Sequence, residues 1–222
     1  MSLAAELLRV ARTSASAATP VRQRVLERGI ALRRDLAIQR HALAVGEMTP
    51  EFALASNRGR IVTLDGLLDQ GPAVLVFYRG SWCPYCRITL ASYQRALAAL
   101  SETDGTLVAI SPETPSEAAA TAAALGLSFD VLSDLGSRTA ATFGILYDMT
   151  DDAIALCMAD GIDLPRLNGD PRWVLPLPAT YVVGCDGVAR YAFVDPDYRH
   201  RAEPDDVIDA LRRIRAKQER HS

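Results

Sequence analysis

A central mixed β-sheet flanked by helices, in an α/β chain with a helical N-terminal extension, is predicted by three features of this 222-residue sequence. From Gly46 onward, short apolar runs rich in Val, Ile and Phe alternate with longer stretches of helical periodicity. One such run, residues 73–78, passes through Arg79-Gly80-Ser81-Trp82 into Cys83-Pro84-Tyr85-Cys86 at the head of a helical pattern. The last two runs are joined by Gly184-Cys185-Asp186-Gly187, a good hairpin turn.

Taken in order, residues 1–40 are Arg-rich and sparse in Gly and Pro, and from Val21 to Leu43 the apolar residues Val25, Ile30, Leu32, Leu36 and Leu43 stand at roughly helical spacing, which sets residues 1–42 apart. They read as a helical extension that packs on the body or on a second subunit, ahead of a domain spanning 43–217. Strands are predicted at 73–78, 106–110, 129–132, 179–183 and 188–194. Helices are predicted at 84–100, 115–125, 137–143 and 204–215. Thr114-Pro115-Ser116-Glu117 is a capping box with Pro at the first helical position. Within 148–177, residues 151–159 suit a short helix. Residues 164–178 hold four prolines and Asn168-Gly169 and read as a loop.

Composition narrows the functional classes. A hydrophobic content of 49% supports a sizeable core, and a net charge of −3 carries no nucleic-acid footprint and no attraction to an anionic membrane. No apolar run approaches the roughly 18 residues of a membrane span. Glu6, Arg9 and Arg12 interrupt the N-terminal apolar stretch too early for a signal peptide, so a cytoplasmic location is expected. There a close cysteine pair is catalytic or metal-binding rather than a structural disulfide.

Of the four cysteines, Cys157 and Cys185 read as small buried hydrophobes. Cys83 and Cys86 differ. Pro84 fits the first helical position, which makes Cys83 the N-cap. The stripe Leu90, Tyr93, Leu97, Leu100, extended back one turn, puts Cys86 on the buried face. Cys83 is then expected at an exposed tip, where helix N–H groups lower its pKa and Arg79 and Arg87 add to the effect. One thiol attacks a disulfide or a peroxide oxygen, and the other, one turn away, resolves the product. The competing reading is half a zinc site. It lacks a second knuckle, because Cys157 and Cys185 are not closely paired and His41, His200 and His221 are scattered and solvated. No metal and no cofactor are expected.

At this point the chain resembles a known family. Val45-Gly46-Glu47-Met48-Thr49-Pro50-Glu51-Phe52-Ala53-Leu54 is similar to the peroxiredoxin opening, and Val76-Phe77-Tyr78 with the dithiol to its active-site strand and helix. Leu132-Ser133-Asp134, Ala140–Ile145 and Ala179–Val183 with Asp186-Gly187 follow in the family's order. The chain thus resembles the alkyl hydroperoxide reductase/thiol-specific antioxidant group of the thioredoxin-like fold, in a subgroup with a Trp-Cys-Pro-Tyr-Cys site. The family pattern Pro-x-x-x-Thr/Ser-x-x-Cys lays its peroxidatic Cys on Cys86, its Thr on Cys83 and its Pro on Arg79. Its late arginine, which polarises the peroxide, falls near Pro178, and Arg79 is the candidate replacement.

Other positions resemble thioredoxins and glutaredoxins. Cys-Pro-Tyr-Cys is the glutaredoxin dithiol, Pro178 stands where thioredoxin-fold proteins carry a cis-proline facing the dithiol, and Trp82 resembles their shielding Trp. Tyr85 is expected to set access. Asp195-Pro196-Asp197-Tyr198-Arg199 is a turn with a local ion pair.

The resemblance implies a thiol-dependent peroxidase whose Cys83–Cys86 pair cycles between dithiol and disulfide. Its reductant would be a thiol such as thioredoxin or glutathione, and a homodimer is a family-level expectation. The alternatives are a disulfide oxidoreductase acting on protein disulfides and a non-enzymatic redox sensor. Cap geometry names Cys83 as the attacking sulfur, and the peroxiredoxin register names Cys86. Residues 148–177 are expected to wall the site.

Overall fold

The structure, a computed structural model, describes residues 2–219. Its core is a seven-stranded mixed sheet with strand order β2-β1-β5-β4-β3-β8-β9. The strands are β1 (Ala53–Ser56), β2 (Ile61–Thr63), β3 (Ala73–Phe77), β4 (Thr106–Ser111), β5 (Asp130–Ser133), β8 (Ala179–Val183) and β9 (Ala189–Val194). β3, β4 and β5 run parallel, joined by helices α4 (Pro84–Ser101) and α5 (Pro115–Leu125). β8 pairs antiparallel with β3, so Phe77 lies opposite Ala179. The β8–β9 hairpin closes through Gly184–Gly187 as expected, with Gly187 at φ +75°.

Side-chain alternation along β3 divides the core in two. Val74 and Val76 face a cluster with Leu3 and Leu7 of α1 (Leu3–Ala17), Leu90 and Tyr93 of α4, and Val207 and Leu211 of α9 (Pro204–Glu219). Leu75 and Phe77 face the other, with Leu64 and Leu67 of α3 (Leu64–Leu68), Phe143 and Tyr181. Both faces are apolar, so β3 reads as an unbroken hydrophobic run and all five of its residues are buried.

Most local signals act as expected. The Thr114 hydroxyl accepts from the Glu117 N–H at the head of α5, but the capping box is only half made, because the Thr114 N–H bonds to the Leu167 carbonyl and the Glu117 carboxylate pairs with Arg166; Gly126 ends the helix in the left-handed region. The extension forms two helices, α1 and α2 (Pro20–Asp35), each begun by a hydroxyl cap, Ser2 and Thr19. The Glu203 carboxylate accepts from the Leu3 and Ala4 N–H groups, placing negative charge at the α1 N-terminus.

Some expectations need correction. Residues 164–178 are not one loop. They hold α8 (Leu164–Asn168), capped by Asp163, and β7 (Val174–Pro176), which pairs with β6 (Leu146–Asp148). Proline fits both, at the first turn of a helix and at the end of a two-stranded ribbon. The helix at 151–159 is α7 (Asp151–Ala159), and a five-residue helix, α6 (Arg138–Thr142), stands where 137–143 was expected. Cys185 is exposed rather than buried, because it stands in the tight β8–β9 turn, whereas Cys157 on α7 is buried. His41 and His200 are exposed, and His221 lies outside the described residues.

Candidate active site

The site is built where β3 runs out. Tyr78 still bonds to β4 through its N–H and the Ile110 carbonyl, and the chain then turns sharply. Gly80 makes the turn at φ +147°, and a Cβ there would sit 2.3 Å from Trp82 Nε1. Glu113, fully buried after β4, clamps the loop: its carboxylate accepts from the Ser81 N–H at 2.8 Å, the Ser81 hydroxyl at 2.7 Å and the Tyr78 hydroxyl at 3.3 Å. Burial pushes the Glu113 carboxyl up from its ordinary value despite these bonds.

Cys83 is the N-cap of α4 with Pro84 at the first helical position, as the sequence predicts. Its exposure is not as predicted. Only 1% of Cys83 meets solvent, and Cys86 is fully buried. Tyr85 lies against Tyr198 with ring centroids 5.5 Å apart, and Trp82 and Tyr198 both line the approach, so the cap is roofed.

The electrostatics also reverse the expected order. The Cys86 sulfur accepts from the Arg79 backbone N–H at 3.4 Å and from the Arg201 guanidinium at 3.5 Å. Burial alone would push the Cys86 thiol up. A hydrogen bond from Cys83, the Arg201 and Arg79 charges and the Arg79 N–H outweigh it and hold Cys86 well below the ordinary thiol value. Cys83 is pushed well above it, by that same hydrogen bond to Cys86, by burial and by the Cys86 charge. The Cys83 side chain makes no capping bond, and the guanidinium of Arg201 stands one turn further on, at Cys86.

Arg201 was not legible in the sequence. It lies 115 residues beyond Cys86, and only the fold of the segment after β9 brings it back, where the Tyr198 and His200 carbonyls hold its guanidinium. Arg79, expected to replace the late arginine, takes a different position. Its guanidinium reaches Cys83 at 4.0 Å and is stacked between Trp82 at 4.7 Å and Tyr198 at 4.4 Å. Arg87 is exposed on α4. Pro178 is buried at the head of β8 with a trans peptide bond, not the cis bond its position suggested, and it does not line the space at Cys83. The turn at 195–199 carries the expected ion pair, Arg199 to Asp197 at 2.7 Å.

Residues 148–177 do wall the site: Met149, Ala153, Leu156 and Cys157 face the same cavity as Cys83. Among the described residues, no group of three His, Cys, Asp or Glu side chains is placed to hold a metal ion, and no helix is long and apolar enough to cross a membrane.

A family model described as "AhpC/TSA family" matches residues 45–192. The fold is similar to that of peroxidoxin BcpB from Mycobacterium tuberculosis, at 22% identity and a TM-score of 0.60, over 78% of this chain and 98% of that one. A peroxiredoxin-like protein from Aquifex aeolicus gives 14% and 0.61, over 78% and 88%. The reduced 2-Cys peroxiredoxin of Plasmodium vivax gives 18% and 0.59, over 79% and 98%. No curated protein sequence is significantly similar to the chain.

Proposed function

The chain belongs to the AhpC/TSA family, and from that premise we propose that, in this thiol-dependent peroxidase, Cys86 attacks the peroxide and Cys83 resolves it. The observation that carries this assignment is the pair of donors on the Cys86 sulfur, the Arg79 N–H and the Arg201 guanidinium. They stabilise a thiolate there, and the thiolate is the nucleophile. An arginine beside the sulfur also meets the oxygen that becomes negative as the O–O bond breaks.

The Cys86 thiolate attacks one peroxide oxygen, an S–O bond forms, and the O–O bond breaks. The leaving alkoxide or hydroxide takes a proton, and Cys86 is left as sulfenic acid. The Cys83 sulfur attacks Cys86, an S–S bond forms and water leaves. Two equivalents of thiol then restore the dithiol. Trp82 and Arg79 act as positioning residues over Cys83. Pro178 takes no part, since it stands at the head of β8 outside the cavity that Cys83 lines. A protein disulfide is a poor fit as substrate because Cys83, the one sulfur of the dithiol that lines the approach, is 1% exposed. A cytoplasmic setting suits the cycle, since a reducing compartment returns the dithiol. We also assign residues 1–42 to an extension of the redoxin body at 43–217, and expect a homodimer, to be tested by sedimentation.

The test uses stopped-flow peroxide consumption by pre-reduced Cys83→Ser and Cys86→Ser. Cys83→Ser should consume one equivalent and turn over with an added thiol, and Cys86→Ser should be inert. The opposite pattern, or an oxygen found by mass spectrometry on Cys83, reverses the assignment.

A further inference from the structure

A cavity of about 280 Å³ ends at Cys83. Ala11 and Ala15 of α1, Leu26 of α2 and Ala153 and Leu156 of α7 form apolar walls. Cys83 lines this cavity, whereas Cys86 does not. Two rim arginines are already neutralised, Arg22 by Asp160 and Arg199 by Glu27 and Asp197. Arg79 differs. It is 9% exposed, its Nε has no hydrogen-bond partner, and among the described residues no carboxylate pairs with it. A buried guanidinium with donor capacity to spare, facing an apolar chamber, recognises a carboxylate.

Resting on the peroxidase assignment above, we propose that this cavity binds the electron donor, and that the donor is a small carboxylate-bearing thiol rather than a protein. Three observations agree. The volume lies at the low end of small-molecule sites. Two walls come from α1 and α2, which a protein donor would have to displace to reach Cys83. The chemistry also runs in the required direction, because a thiol–disulfide exchange is fastest when the departing sulfur is the better-stabilised thiolate. The donor thiolate attacks Cys83 in the Cys83–Cys86 disulfide, a donor–Cys83 bond forms, and Cys86 leaves as a thiolate held by Arg201. A second donor thiolate attacks the donor sulfur of that mixed disulfide, freeing Cys83 and releasing the donor disulfide. Two electrons pass from two thiols to the protein.

The experiment starts from protein oxidised with diamide, so no peroxide is involved. Re-reduction is followed by quenched alkylation with glutathione, which carries two carboxylates, with cysteamine, which carries none, and with reduced thioredoxin. After correction for thiolate fraction, glutathione should saturate and exceed cysteamine by about tenfold or more. Thioredoxin should not exceed cysteamine. In Arg79→Gln the glutathione-to-cysteamine ratio should fall to within about threefold. Because both thiols attack the same sulfur, any change in the intrinsic reactivity of Cys83 cancels in that ratio. If Arg79→Gln does not fold, Ala15→Trp at the exposed cavity mouth should abolish glutathione saturation and lower the same ratio.

Equal rates in the parent, a ratio unmoved by these variants, or fastest reduction by thioredoxin overturns the proposal. A flat thiol ratio with preference for carboxylate-bearing over neutral hydroperoxides would assign the cavity to the peroxide and equally overturn it. Intact thiol discrimination in a reduced protein that consumes no peroxide would instead sink the peroxidase assignment and leave the donor site standing.

Discussion

Replacing Arg201 by Met tests the electrostatic design most directly. The guanidinium lies 3.5 Å from the Cys86 sulfur, which is fully buried, so the contact is a charge-assisted hydrogen bond without solvent to replace it. Such a bond contributes about 1.5–3 kcal/mol to the thiolate, so its loss should raise the Cys86 pKa. The sign follows from the charge. Arg201 favours the thiolate, and without it the thiol form persists to higher pH. The reactive thiolate is present above the pKa, so the acidic limb of the peroxide-rate profile should move to higher pH by the same amount. Even on the alkaline plateau the rate should fall, by about 10- to 100-fold, because the arginine no longer faces the oxygen that becomes negative. The assay is thiolate absorbance in the ultraviolet, together with stopped-flow peroxide rates across pH. A Cys83→Ser background leaves one sulfur of the pair to titrate. An unmoved pH limb would refute the reasoning, since it would mean that the Arg79 N–H and the helix alone hold the thiolate.

Three further outcomes are expected. Gly80→Ala should destabilise the protein by about 1–3 kcal/mol, since it strains a left-handed backbone and drives a methyl into Trp82; urea unfolding with an unchanged midpoint would show that the loop relaxes freely. Glu113→Ala should cost about 1–3 kcal/mol and slow peroxide reduction, because half-buried Ser81 loses both its bonds. Glu113→Gln, which keeps an acceptor oxygen, should recover most of the stability, and equal losses in both variants would contradict the clamp. Glu203→Ala removes the carboxylate on the Leu3 and Ala4 N–H groups and should speed hydrogen exchange in α1, at a stability cost of about 1 kcal/mol; unchanged exchange would show that Leu3 and Leu7 suffice as the anchor.

What the sequence determined by itself was everything that depends on near neighbours along the chain. The apolar run before Cys83 had to be a buried strand, Pro84 had to open a helix, and the Thr114 hydroxyl had to cap another. The glycines at 184 and 187 had to turn a hairpin. Periodicity, capping and turn chemistry act over a few residues, and the strands and helices around the dithiol fell within a residue or two of their predicted bounds at most ends. Elements without such a pattern, the short β6–β7 ribbon and α8, were hidden among prolines that signal a loop unless a partner strand is known. The exposure and charge of the two sulfurs were decided only by tertiary structure. Cys83 is covered because Tyr85 and Tyr198 meet across 113 residues of sequence. Cys86 is the better-stabilised thiolate because Arg201 returns to it from beyond β9. A cap position fixes where a thiol sits on its own helix, but its pKa is set by every charge within a few ångströms, and those come from distant parts of the chain.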